Sequence, residues 1–305
     1  MGVGGATVGA GGGTAGGSGP GAAGGNGQPV DYGATGPLEI VVEQNVGESF
    51  RNNVSDDTET CKMIMEKLLG SNVPDSLIHY PAGMDWQLYT LFRPKNLENG
   101  RKYPVITWGD GTCSNPQTFA TILKHLASHG FLVIASNYRQ VGDGTVMLHA
   151  VEFILSENEN AQSALYGKVD TKMIGATGHS QGSMATVTVG ADERIIATVP
   201  IQGANASAIK AVKGPTFLIA GEKDTTVAPS GIESAFNAAA VPAVYGLALG
   251  ADHTMPPVSP APILGPITAW FKIHLANDTT ARGMFYGDAC TLCKDPLWTV
   301  KRKNL

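Results

Sequence analysis

From Tyr103 to Leu275 the chain keeps switching between two hydrophobic periods, and that alternation limits the available folds more than any other feature. Short apolar runs at Tyr103 to Trp108, Phe131 to Ser136, Met173 to Thr177, Ile195 to Ile201, Thr216 to Ala220 and Val244 to Leu249 read as buried strands. Between them lie helical spacings: Gln117 to Ser128, closed by Gly130, then Val146 to Leu155, the stretch after Ser180, Ile232 to Ala239, and Pro262 to Leu275. Leu88 to Arg93 reads as an edge strand ahead of them. Buried strands joined by helices require crossover connections, so the expected architecture is α/β, a mostly parallel central sheet with helices on both faces. Ligands in such sheets bind at the carboxyl ends of the strands.

The residues with chemical potential gather at those ends. In "KMIGATGHSQGSMATVTVG" an apolar strand runs into Gly-His-Ser-Gln-Gly and then into small residues that let a helix pack closely. With 39 Gly in 305 residues a G-x-S-x-G match carries little by itself. Its strand-to-helix context carries the argument, because a sharp turn there exposes the serine oxygen. Asp224 follows the strand in "TFLIAGEKD" and His253 follows "VYGLALGAD", which gives the chain order Ser, Asp, His. A serine hydroxyl needs an imidazole to take its proton during attack, and the imidazole needs an acid on its other nitrogen. Ser180, His253 and Asp224 are therefore the expected nucleophile, base and acid. Glu222 and Asp252 are the rivals for the acid role, and His179 is read as a buttress rather than a catalyst. An oxyanion needs backbone N–H donors already in place. The residue after the nucleophile, Gln181, supplies one, and the loop after Trp108 supplies another from Asp110 or Gly111.

Composition bounds the remainder. Residues 1–36 hold 16 of the 39 Gly and one charged residue, Asp31, so they read as a disordered linker ahead of a single catalytic domain over 37–305. A G-x-G-x-x-G match at Gly11, Gly13 and Gly16 has no strand before it and no helix after it, and so is not read as a dinucleotide site. Net charge is -5 with no basic run before Lys301, Arg302 and Lys303, which excludes nucleic acid as an expected partner. No run of 18 apolar residues occurs, hence no transmembrane segment is expected. No signal peptide is visible either, yet a Gly-rich tether is what commonly follows a removed export signal, so secretion or export is expected. Cys61, Cys113, Cys290 and Cys293 allow three disulfide connectivities that spacing does not separate. Pairing of Cys61 with Cys113, with Cys290 and Cys293 forming a local loop, is carried forward; half of a zinc site at Cys290–Cys293 is the competing reading. No cofactor and no metal are expected, and a monomer is the default.

The motifs "GHSQG", "GEKDTTVAP" and "GADH", with "LASHGFLVIASNYR", resemble the bacterial polyester hydrolases of the cutinase and poly(ethylene terephthalate) hydrolase type, within the dienelactone-hydrolase-like α/β-hydrolases. The likeness spans roughly Tyr89 to Leu275 and implies the α/β-hydrolase fold and cofactor-free ester hydrolysis, often on polymers. It implies the same roles for Ser180, Asp224, His253 and Gln181. The chain departs from that group in three places: Gln181 stands where Met is usual, "WGDGTCSN" replaces Pro-Gly-aromatic, and "PIQGANAS" lacks the usual Trp. Trp108, Thr112 and Gln202 are the candidate substrate-binding residues, with Trp86, Tyr89 and Tyr138 as further candidate cleft aromatics. About a dozen residues separate Ile201 from Thr216, too few for a lid domain. A polyester hydrolase is the first reading. A small-ester or triglyceride esterase and a noncatalytic binding scaffold are the alternatives.

Overall fold

The computed structural model describes residues 30–49, 57–69, 73 and 75–305. The compact unit runs from Asp31 to Leu305. Residues 1–29, which include most of the expected linker and the glycines at 11, 13 and 16, lie outside the described residues.

The strands are β1 (Ile40–Val46), β2 (Tyr89–Pro94), β3 (Tyr103–Gly109), β4 (Leu132–Ser136), β5 (Val169–His179), β6 (Ile195–Ile201), β7 (Thr216–Gly221), β8 (Ala243–Ala248) and β9 (Trp298–Lys303). The helices are α1 (Thr58–Leu69), α2 (Asp75–Ile78), α3 (Ala120–Ser128), α4 (Thr145–Glu159), α5 (Gln181–Val189), α6 (Pro229–Ala238), α7 (Met255–Val258) and α8 (Ala261–Leu275). One sheet takes the order β1-β2-β4-β3-β5-β6-β7-β8-β9. Pairing is parallel from β4 through β8 and antiparallel at both flanks, between β1 and β2, β2 and β4, and β8 and β9. Helices α3 and α8 pack on one face, and α4, α5 and α6 on the other. This is the α/β-hydrolase fold, with strands buried on both sides because crossover helices cover both. The β6–β7 connection carries only a single 3₁₀ turn, Ala208–Ala211.

Two expectations need correction. Leu88 to Arg93 is not an edge strand: β2 lies between β1 and β4 and all six of its residues are buried. The edges are β1 and β9, whose half-exposed, polar sequences conceal them. Nor does the domain begin at residue 37. Tyr32 is buried, its hydroxyl donates to Asp278 at 2.8 Å, and its carbonyl meets His125 Nε2 at 3.0 Å. The Ala34 carbonyl meets His129 Nε2 at 3.0 Å, and Gly36 N–H donates to Ser128 Oγ at 2.8 Å.

Two disulfides close, Cys61–Cys113 and Cys290–Cys293, with Cα separations of 5.4 and 5.3 Å. Among the described residues no cluster of His, Cys, Asp and Glu could hold a metal ion, and no helix is long and apolar enough to cross a membrane.

Candidate active site

Strand β5 sits at the centre of the sheet and ends at His179, so the next residue is thrown onto the carboxyl edge. That residue, Ser180, has φ 55 and ψ -113, a conformation that side chains with a Cβ rarely take. The turn tightens because its neighbours have no side chains. A Cβ on Gly178 would sit 2.6 Å from the carbonyl oxygens of Gly109 and Gly182, and one on Gly182 would sit 2.0 Å from Gly109 O. The turn is further tied by Ser180 N–H donating to Ile201 O at 3.0 Å, and by Ser180 O accepting from the N–H groups of Ser183 and Met184.

The loops after β7 and β8 bring the partners. His253 Nε2 lies 3.0 Å from Ser180 Oγ, and His253 Nδ1 lies 2.7 Å from Asp224 Oδ2. Asp224 is buried, and its other oxygen accepts from Thr226 N–H at 2.9 Å and Val227 N–H at 2.8 Å. These two bonds aim the free oxygen at the imidazole. An acceptor on Nδ1 puts the ring proton there and leaves Nε2 bare to take the proton of Ser180, the arrangement base-assisted attack by a hydroxyl requires. Asp252 is exposed and turned toward Thr254, and Glu222 accepts from Gly250 N–H; neither reaches His253 Nδ1.

The histidine loop is held from beneath. His179 Nε2 meets the carbonyl of His253 at 3.0 Å, and Gln202 Nε2 donates to the carbonyl of Asp252 at 2.6 Å. Burial pushes the His179 imidazole down to about 3, with the nearby His253 adding to the effect, so it stays neutral. Gln202 takes φ 53, which turns its side chain inward.

Beside Ser180, Gln181 N–H starts α5, and the Asp110–Gly111 backbone follows β3 against Gly182: a Cβ on Gly182 would also meet Asp110 O at 2.7 Å. Among the described residues the N–H groups of Gln181, Asp110 and Gly111 have no protein acceptor. Both backbones can therefore donate to a ligand oxygen. The Asp110 side chain is turned into the protein, where it accepts from Trp108 Nε1 at 2.8 Å. Burial holds its carboxyl well above the usual range, against the opposing effect of that indole bond.

Two expected substrate contacts are corrected. Trp108 is 0 % exposed, packed on Phe119 with ring centroids 5.0 Å apart, and Gln202 is 0 % exposed beneath the histidine loop; neither lines a cleft. Tyr89 and Tyr138 are buried as well, while Thr112 and Trp86 are half-buried. The carboxamide of Gln181 is not free for a ligand in the way its position implies: Oε1 accepts from Val141 N–H at 2.9 Å and Nε2 donates to Gln140 Oε1 at 3.2 Å. Sequence reasoning passed over Gln140. Its only signal was a polar residue just after a buried strand.

A doubly covered sheet with a strained serine after its central strand, and with histidine and aspartate delivered from later strand ends, defines an α/β-hydrolase. Residues 89–295 match the PET hydrolase-like family, about two thirds of the chain, and the protein belongs to that family of ester hydrolases. A search of curated proteins finds no match.

Proposed function

We propose that the protein is a serine carboxylester hydrolase that works through an acyl-enzyme and accepts polymeric esters. The observation that carries this reading is the unbroken chain from Asp224 through His253 to Ser180, at 2.7 and 3.0 Å, with the serine in a turn its flanking glycines impose. Ser180 Oγ attacks the ester carbonyl carbon while its proton moves to His253 Nε2. Asp224 stabilises the resulting imidazolium. The N–H groups of Gln181 and of the Asp110–Gly111 loop receive the oxyanion. His253 then returns the proton to the departing alcohol, and a water repeats the sequence to release the acid. The short β6–β7 connection, with its single 3₁₀ turn, leaves the serine open to a polymer strand, and one chain carries every group required, so a monomer suffices. Export to an oxidising compartment fits the two disulfides.

A second reading, hydrolysis of small soluble esters only, is favoured by the missing clamp. No aromatic stands in residues 201–208, Gln181 replaces an apolar side chain, and Trp108 faces inward. Soluble products from amorphous poly(ethylene terephthalate) film or polycaprolactone decide for the polymer reading; turnover confined to short p-nitrophenyl esters decides for the second. A Ser180→Ala protein as active as its parent overturns both.

A further inference from the structure

The family match begins at residue 89, yet residues before it reach into the site. Cys61 on α1 is joined to Cys113, two residues past Gly111 in the loop after β3. Cys113 has φ 59, a left-handed conformation that side chains with a Cβ enter at a cost. Among the described residues, the other hydrogen bonds of 110–115 stay local: Asp110 to Trp108, Ser114 to Gly111, and Asn115 to Gln117 and Thr118. The tie to another element comes through sulfur. Gln140 Nε2 lies 3.5 Å from both Cys61 Sγ and Cys113 Sγ, and Gln140 Oε1 accepts from the side chain of Gln181.

The neighbour of Gln140 anchors the assembly. Arg139 is 0 % exposed; its Nε and Nη2 donate to Asp57 Oδ1 at 3.0 and 2.6 Å, and its Nη1 donates to Ile78 O at 2.8 Å. Its guanidinium lies 3.9 Å from the Tyr80 ring centroid, and Tyr80 also donates to Asp57. A buried ion pair with these added bonds holds the segment that carries Cys61 in one place.

Oxyanion donors from two loops act together only when their separation is held to within about 0.5 Å. We propose that Gln140 and the Cys61–Cys113 disulfide are positioning groups that set that separation: Gln140 grips the side chain of Gln181 on one side and the disulfide of the Asp110–Gly111 loop on the other. This rests on the reading of Gln181 and that loop as oxyanion donors. Neither group touches substrate, so their loss weakens transition-state binding and leaves ground-state binding alone.

The test measures p-nitrophenyl butyrate kinetics and inhibition by a phenylboronic acid, which forms a tetrahedral adduct on an active serine. The proteins are the parent, Gln140→Met, Cys61→Ser/Cys113→Ser and Cys290→Ser/Cys293→Ser. The first two variants are expected to lose about tenfold in kcat with KM within about twofold, and to bind the boronate about tenfold more weakly. The Cys290/Cys293 variant keeps the parent values. Should the Cys61/Cys113 variant fail to fold, Gln140→Met decides, since that side chain is half-buried at the surface. Parent-like kcat and boronate affinity in Gln140→Met, or a rise in KM alone, overturns the proposal and leaves the esterase reading standing. A parent that hydrolyses no ester overturns both.

Discussion

Gly182→Ala isolates the packing that brings the nucleophile turn against the loop after β3. The added Cβ would lie 2.0 Å from Gly109 O, 2.2 Å from Gly109 C and 2.7 Å from Asp110 O, all backbone atoms with no rotamer to adjust. Real Cβ contacts stay beyond 3.0 Å, so either α5 or the Asp110–Gly111 loop moves by about 1 Å. A displacement of that size at reacting groups costs on the order of 10²-fold in rate, equivalent to about 2.7 kcal/mol of transition-state stabilisation. Overpacking adds about 1–3 kcal/mol of destabilisation, which a stable domain survives. Gly231→Ala is the internal control: it lies in α6 with no atom within 4 Å of its Cβ position, and alanine there should stabilise by roughly 0.5–1 kcal/mol. The assay is kcat/KM on p-nitrophenyl butyrate beside thermal denaturation. The expected result is a hundredfold loss in Gly182→Ala and none in Gly231→Ala. A Gly182→Ala protein within twofold of the parent in rate and unchanged in Tm refutes the argument.

Three further outcomes follow from particular contacts. Asp224→Asn keeps the shape but removes the charge that orients His253, so kcat should fall by about 10³–10⁴-fold with the circular dichroism spectrum unchanged. Arg139→Met strands Asp57 in the interior and should cost about 3–5 kcal/mol, read from urea denaturation. Burial lowers His129 to about 4, His274 to about 4 and His179 to about 3, while the unfolded chain protonates near the ordinary 6.5. Above about pH 6.5 both states are neutral and the stability is fully present. As pH falls from there through about 4, the unfolded chain takes up protons the folded state refuses, and stability is lost. Denaturation midpoints should therefore drop between pH 7 and 5, and drop less in His129→Gln.

The parts of this molecule legible in its sequence are those where local chemistry and fold agree. The strands β3, β4, β6, β7 and β8 announce themselves because burial on both faces demands continuous apolar runs, whereas β5 shows only its buried second half, since Asp170 to Lys172 ahead of it are polar and partly exposed. The turn at Ser180 is visible because close approach of three backbones demands glycine at 178 and 182. Strand β1, "IVVEQNV", turns polar halfway and is only half-buried, and β9, "WTVKRK", buries little beyond Trp298, so edge pairing overrode what composition indicates. Gln202 looks like a cleft residue because it follows a strand end, but its φ of 53 swings it inward to the Asp252 carbonyl, and backbone conformation of that kind leaves no mark on a glutamine. Trp108 misled in the same way: strand alternation and the buried acceptor on Asp110 put the indole in the core. The brace through Gln140 spans residues 61, 113, 140 and 181, a separation in sequence that no local pattern encodes.

If Ser180 is the nucleophile, a phosphonate that traps active serines will label that residue and no other. The protein is incubated with a p-nitrophenyl alkylphosphonate, digested, and the adduct located by mass spectrometry, with residual esterase activity followed in parallel. One adduct per chain on the peptide carrying Ser180, appearing at the rate activity is lost and absent from His253→Ala, is the predicted result. An adduct on another residue, or full inactivation with Ser180 unmodified, would contradict it.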